Sequence, residues 1–420
     1  MMFAIMIGNS LNFRKEDLPM DINSQMLAVT IVIAALVFGE IVSTASKAII
    51  PSVFVTAVVF FIGFWTIFPQ DIVGKAGFTF PLAPLTMYFL IVHLGTLMSV
   101  KELVSQIKTV IIALAGLVGI IVALMTVGTM IFGKETAIVG TPPLTGGLVA
   151  SILMQKAAEE IGRPDLAVLA ILVFVVQGFV GYPLTSILLK KEASRLLGDI
   201  RGNKIDLSLL KKDEQVENEK KLIPPVPKQY NSAGMYLFKL ALVGYLAELA
   251  TKEFNSVVPG NVLSPFVTCL VFGVIFSEIG FLDKNILNKA DSFGFMMVVL
   301  MIYIFDGLKA ATPEMLQATM KDLILVIIIG VIGMLILAVI VGKVLNESIY
   351  MSMCIALNAL YGFPPNFVIT TEVIKQSTGD ENERKILTDI MMPKMLIGGF
   401  VTVTIASVII GGVFANLLVK

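Results

Sequence analysis

Histidine is almost missing from this chain: His93 is the only one in 420 residues. That excludes a His-built metal site and the H-E-x-x-H protease pattern, which need more than one imidazole. Cysteine is nearly as scarce. Cys269 and Cys354 both lie in apolar segments, where they read as small packed hydrophobes and not as a disulfide. Charged residues make up 15% of the chain, against about 25% in an average globular protein. Basic and acidic residues balance at 31 each, so there is no basic excess to suit nucleic acid. No G-x-x-x-x-G-K-[ST] loop is present, which argues against a primary pump. The Gly-x-Gly-Asp motif of intramembrane aspartyl proteases is also missing. The first 20 residues do not read as a cleavable signal: Arg14, Lys15, Glu16 and Asp17 interrupt the apolar start.

Long apolar runs are what the chain does have. It is 56% hydrophobic, with a mean hydropathy of +0.90, the composition of an integral membrane protein. At about 20 residues per spanning helix, we expect spans at residues 24–42, 48–68, 85–98, 107–132 and 164–189, after an N-terminal segment of residues 1–23. Residues 190–230 change character, with ten Lys or Arg residues, prolines near the end and no sustained apolar face. This reads as an exposed linker (191–232), with room for a short surface helix, between two halves (24–190 and 233–420), cytoplasmic by the positive-inside rule. Further spans follow at 235–251, 263–282, 293–308, 322–344 and 386–418.

Two apolar stretches, 136–157 and 348–374, are interrupted. The first carries Gly140, Thr141, Pro142, Pro143, Leu144, Thr145, Gly146 and Gly147; the second runs from Asn358 through Tyr361, Gly362, Phe363, Pro364 and Pro365 to Asn366. Paired prolines remove two N–H donors and disfavour helix before them. Backbone freed inside a bilayer costs several kcal/mol unless protein or water satisfies it. Matching breaks in two halves of one chain therefore point to a transporter's binding site.

The halves repeat in order. A shift of 213 residues sets His93 opposite Asp306 and Lys108 opposite Lys321, and a shift of 222 aligns the Pro-Pro pairs. Broken segments that return to their own side leave five spans per half and inverted halves; segments that cross leave six and parallel halves. Length alone does not choose between them.

Several stretches resemble the sodium/glutamate symporters and, more distantly, the 2-hydroxycarboxylate transporters. They are IIPSVFVTAVV, FLIVHLGTLMSVKELVSQ, AIVGTPPLTGGLVASI, VFVVQGFVGYPLTSILLKK, CIALNALYGFPPNFVITTEVIK and MMPKMLIGGFVTVTIASVI. The resemblance implies an all-α integral membrane protein with two inverted repeats of five transmembrane helices, each with a re-entrant or broken-helix segment. It implies loop tips that meet near the midplane, an elevator-like core moving against a scaffold, a homodimer and a multi-pass place in a bacterial inner membrane. One departure matters. The family's Gly-Gly-x-Gly loop motif is not kept, since Leu148 and Val149 follow Gly146-Gly147. Glutamate as substrate does not carry over.

Thr141, Thr145 and Ser151 near the first break, and Asn358, Tyr361, Asn366, Thr370 and Thr371 around the second, supply neutral oxygens that suit Na⁺. Their plainer role is bonding their own backbone. Glu372 reads as a cation ligand or protonatable group, or as a residue facing the loop's aqueous mouth. Asp389 and Lys394 begin the last span; Lys394 binds a substrate carboxylate or snorkels to headgroups. Gln177 is its rough counterpart in the first half. His93 and Asp306 form a proton path or lie at the interface. Glu40, Trp65 and Phe68 read as interfacial.

The expectation is a non-enzymatic, cation-coupled carrier of a small organic anion, with Na⁺ as coupling ion and no other cofactor. Its partners are the solute and the bilayer. The alternatives are a proton-coupled carrier or exporter using Glu372, Asp389 or Lys394, then a channel or a membrane-embedded enzyme.

Overall fold

A computed structural model describes residues 24–97, 106–146, 148–202, 222–224, 226–257, 263 and 265–419. The described residues form helices and connecting turns, with no strand. The first half holds α1 (Gln25–Ala45), α2 (Ser52–Thr66), a single turn at Ile72–Lys75, α3 (Leu82–Gly95) and α4 (Ile107–Phe132, with a π turn at Leu124–Gly128). It continues with α5 (Lys134–Leu144), α6 (Leu148–Glu160) and α7 (Pro164–Arg201). The second half gives α8 (Ala233–Val257), α9 (Pro265–Glu278), a single turn at Ile286–Lys289, α10 (Phe293–Asp306) and α11 (Pro313–Val344). It ends with α12 (Ile349–Leu357), α13 (Pro365–Ser377), α14 (Glu381–Val401) and α15 (Ser407–Val419), the last two joined by a π turn at Thr402–Ala406. The order of long helices, single turns and a broken pair thus occurs twice.

Six of these helices are long and apolar enough to cross a bilayer: α1, α4, α7, α8, α10 with its 3₁₀ extension, and α11. Ile, Val and Leu face outward along them, with Ile324, Ile328, Ile332, Ile336 and Ile340 exposed down one side of α11. Such a face suits lipid and not water, so this is a multi-pass membrane protein.

The helices pack as two groups. In one, α3, α8, α9 and α10 enclose a smaller core that includes Leu90, Leu94, Leu240, Leu270 and Leu300. In the other, α4 and α11 cross closely and support α5, α7, α12 and α14. Their crossing depends on two glycines. A Cβ on Gly119 would lie 2.4 Å from the Gly333 carbonyl oxygen, and a Cβ on Gly333 would lie 2.5 Å from that of Gly119. Small residues at such a crossing let dispersion and backbone contacts replace the hydrophobic drive that lipid cannot supply.

Several expectations shift. Helix α7 does not stop at residue 189 but continues to Arg201. Its extension has an apolar face after all, with Ala193, Leu196, Leu197 and Ile200 buried. Arg195 also pairs along the helix with Glu192 and Asp199, the spacing that stabilises exposed helix. Phe68, expected among headgroups, instead packs on Phe60 and Phe64 at 5.8 and 6.2 Å between ring centres. Trp65 donates its indole N–H to the Ala311 carbonyl at 2.8 Å. Both cysteines are free and buried. The N-terminal segment 1–23 and residues 203–221 of the linker lie outside the described residues.

Candidate functional site

The first broken segment is a helical hairpin. Arg163, just beyond α6, pairs with Glu135 at the start of α5, so the outer ends of the two arms lie together. The turn falls later than the prolines suggest. Gly140, Thr141, Pro142 and Pro143 all belong to α5, and the chain leaves the helix only at Thr145 and Gly146. Pro142 and Pro143 lack the N–H groups that would reach the carbonyls of Ile138 and Val139, so the last turn of α5 gives up two helical hydrogen bonds. Gly146 makes the reversal with φ +105°, a conformation that side chains with a Cβ resist. Gly147 lies outside the described residues.

The second broken segment runs along α7 and returns. Ser348 at its start hydrogen-bonds Glu192, while Tyr361 at its tip shares a 2.6 Å hydrogen bond with Thr185. Those α7 residues lie about 10 Å apart along the axis. After α13, Glu383 pairs with Arg201 at 2.8 Å, so the return arm ends near the same end of α7. Here the prolines act in the opposite sense to the first pair: Pro364 caps α13 and Pro365 opens it, where a missing N–H costs nothing.

The two tips meet. A Cβ on Gly146 would lie 2.7 Å from the Ala359 carbonyl oxygen. It would also lie 2.9 Å from a Val403 methyl, and a Cβ on Gly362 would lie 3.0 Å from the same group. Both tips therefore rest on one residue of the π turn in the last helix.

Some buried polar atoms are uncommitted, one of them on Asn358, next to Ala359 at this junction. Among the described residues, the buried side-chain atoms without a hydrogen-bond partner are Gln177 Oε1, Asn358 Oδ1 and Asp306 Oδ1. The Asn358 amide nitrogen donates to the carbonyls of Cys354 at 3.0 Å and Ile355 at 3.3 Å. This fixes which side atom is the oxygen. A buried acceptor left unpaired costs about 1–3 kcal/mol, and a hard cation takes neutral carbonyl oxygens of this kind. Asn366 is anchored beside it, donating to the Met395 carbonyl at 2.9 Å. Gly399 makes room for both amides: a Cβ there would lie 2.5 Å from Asn366 Nδ2 and 3.3 Å from Asn358 Oδ1.

The hydroxyls follow their plainer role. Thr141, Thr145, Thr370 and Thr371 donate to carbonyls within their own helices, and Ser151 bridges α6 to the Ala170 carbonyl at 2.8 Å. Thr371 is exposed. Beside the second tip lies a cavity of about 70 Å³ whose lining includes Ala57, Phe179, Tyr182, Phe305, Leu360 and Tyr361.

Other candidates lie away from the tips. Lys394 is not free: its ammonium pairs with Glu347 at 2.6 Å. Asp389 sits on an exposed face of α14. Glu372 ties α13 to the elbow between α1 and α2, accepting from Ser43 Oγ and the Ser52 N–H, both at 3.0 Å. His93 and Asp306 have separate partners. His93 Nδ1 accepts the Leu287 N–H at 3.2 Å, and Asp306 pairs with Lys309 at 2.7 Å.

Sequence reasoning missed Glu347, Thr185, Ser43, Ser52 and Val403. Thr185, Ser52 and Val403 stand in the GYPLTS, IIPSVFVTAVV and MMPKMLIGGFVTVTIASVI stretches, which resemble a known family. Glu347 and Ser43 carry no local signal, because each matters through a partner distant in the chain.

Neither a scan against protein-family models nor a search of curated proteins returns a match to this chain.

Proposed function

We propose that this protein is a cation-coupled secondary transporter of a small organic anion, an amino acid or a carboxylate, with Na⁺ as the coupling ion. The observation that carries the reading is the meeting of two hairpin tips at Gly146 and Ala359, with the orphaned oxygen of Asn358 beside them. Broken helices at bilayer depth are tolerated where they line a site, and their loose main-chain groups then bind ion and solute. Neutral oxygens favour Na⁺ over a proton here, since the carboxylates of Glu372 and Glu347 already hold partners. The mostly apolar cavity beside Tyr361 supports a solute with an apolar body.

On this reading each broken segment is re-entrant, each half has five crossings, and the halves are inverted. Alternating access follows from an elevator-like core carrying the tips against a scaffold. A homodimer in a bacterial inner membrane belongs to the same proposal. Uptake into proteoliposomes tests it: accumulation of the right solute should require an inward sodium gradient, and equal accumulation without one rejects sodium coupling.

A proton-coupled carrier or exporter is the second reading, favoured by the mostly buried Lys394–Glu347 pair. Such a pair changes energy steeply when one partner changes its proton. Glu372→Gln, Asp389→Asn and Lys394→Ala should then alter the pH profile of transport. An unchanged profile in all three ends that version.

A further inference from the structure

Where α7 leaves its apolar stretch, an open cleft of about 510 Å³ is lined by Lys190, Lys191, Ser194, Arg195 and Tyr350. We propose that this cleft binds the phosphate headgroup of an anionic phospholipid, with an acyl chain lying along α7 beneath it.

The charge balance favours an anion. Arg195 is matched by Glu192 and Asp199 on its own helix. Glu192 also accepts from Ser348, so it is fully committed. Lys190 gives one N–H to the Lys47 carbonyl, which places that end of α7 against the α1–α2 elbow without neutralising the ammonium. Lys191 lies over the Tyr350 ring, 5.8 Å from its centre, a contact that holds the side chain but leaves its charge. Among the described residues, the two lysines thus have no carboxylate partner, and the Ser194 hydroxyl lies beside them as a further donor.

The face below distinguishes a lipid from a soluble phosphate. Val180, Leu184, Ile187, Lys191 and Ser194 follow one another at helical spacing. Val180 and Ile187 are exposed, as is Ile349 next to Tyr350. The same stripe therefore runs from apolar to basic within two turns. A free anion needs only the basic part; a phospholipid uses both, its chain on the Ile187 side and its phosphate at the lysines.

The binding would have a structural consequence, since Tyr350 belongs to α12, the outgoing arm of the second hairpin, and the lysines to α7. A headgroup between them pins that arm near its open end. Headgroup binding at this cleft does not depend on the chain carrying a solute.

Purified full-length protein in neutral detergent provides the test. Dioctanoyl phosphatidylglycerol should raise the thermal midpoint by several degrees. Dioctanoyl phosphatidylcholine and inorganic phosphate at the same concentration should not. Lys190→Gln combined with Lys191→Gln should weaken the phosphatidylglycerol response by about tenfold or more. Removing two charges elsewhere, with Lys284→Gln and Lys375→Gln, should leave it intact. Lys191→Gln alone serves if the double variant is poorly folded, and should weaken the response in the same direction. Equal responses to both lipids, an unchanged response in the Lys190/Lys191 variants, or a phosphate response as large as that to phosphatidylglycerol would each overturn the proposal.

Discussion

Gly146 and Ala359 stand 213 residues apart in the chain, yet the backbone of one leaves no space for a methyl group beside the carbonyl of the other. Gly146→Ala should therefore do two things at once. It strains a φ of +105° and wedges the tips apart, costing about 1–3 kcal/mol. Thermal melts should show that loss. Solute-dependent stabilisation should fall further than the loss of fold stability alone explains.

Asn358 makes a sharper test of ion binding. Replacing it with Asp keeps the oxygen and adds charge, whereas Leu removes the acceptor. Sodium-dependent stabilisation, read as a shift in melting midpoint across a sodium titration, should survive in Asn358→Asp and disappear in Asn358→Leu. If Leu retains the sodium response, the orphaned oxygen is not a ligand.

For Lys394 and Glu347, the test is a double-mutant cycle. Breaking a largely buried pair from one side strands a charge and costs about 3–5 kcal/mol. Lys394→Met and Glu347→Leu should each be strongly destabilising. The double variant should lie closer to the unmodified protein than either single change, because no charge is then left alone. Simple additivity of the two losses would show that the pair is energetically uncoupled.

Acid should loosen the contact between α7 and α14. The hydrogen bond from Arg201, with help from Thr378, holds the Glu383 carboxyl down to about 2, below its ordinary value of about 4.3. A depressed carboxyl contributes stability that is complete above its ordinary value and is lost as pH falls towards 2. Arg201→Ala should flatten this part of the acid-melting profile. The effect should be small and should shrink with salt, because the arginine is mostly exposed.

The sequence made the membrane class, the two breaks and most helices legible, since apolar runs and paired prolines are local signals. Helix α4 begins and ends where its hydropathy does. The break read at residues 140–147 contains the turn at its later end only, because a proline near the end of a helix reads the same as one in a gap. A short surface helix is legible beyond residue 190, but its continuity with α7 is not, because its charges hide the buried face of Ala193, Leu196, Leu197 and Ile200. At the site, Asn358 is recognisable as a polar residue in apolar surroundings, as is the buried Gln177 on α7. Nothing local to Lys394 told that Glu347 would neutralise it, and nothing near Val403 marked it as the residue under both tips. Such relations exist only between distant parts of the chain.

Val403 occupies an unusual mechanical position. Its methyl groups lie close to both Gly146 and Gly362, where a Cβ on either glycine would crowd them. On the proposed transport reading, a single aliphatic side chain would be a common doorstop for two leaves. If the tips move as that reading requires, its bulk should set how far they swing together: with a smaller side chain they would move independently and leak, and with a larger one they would jam.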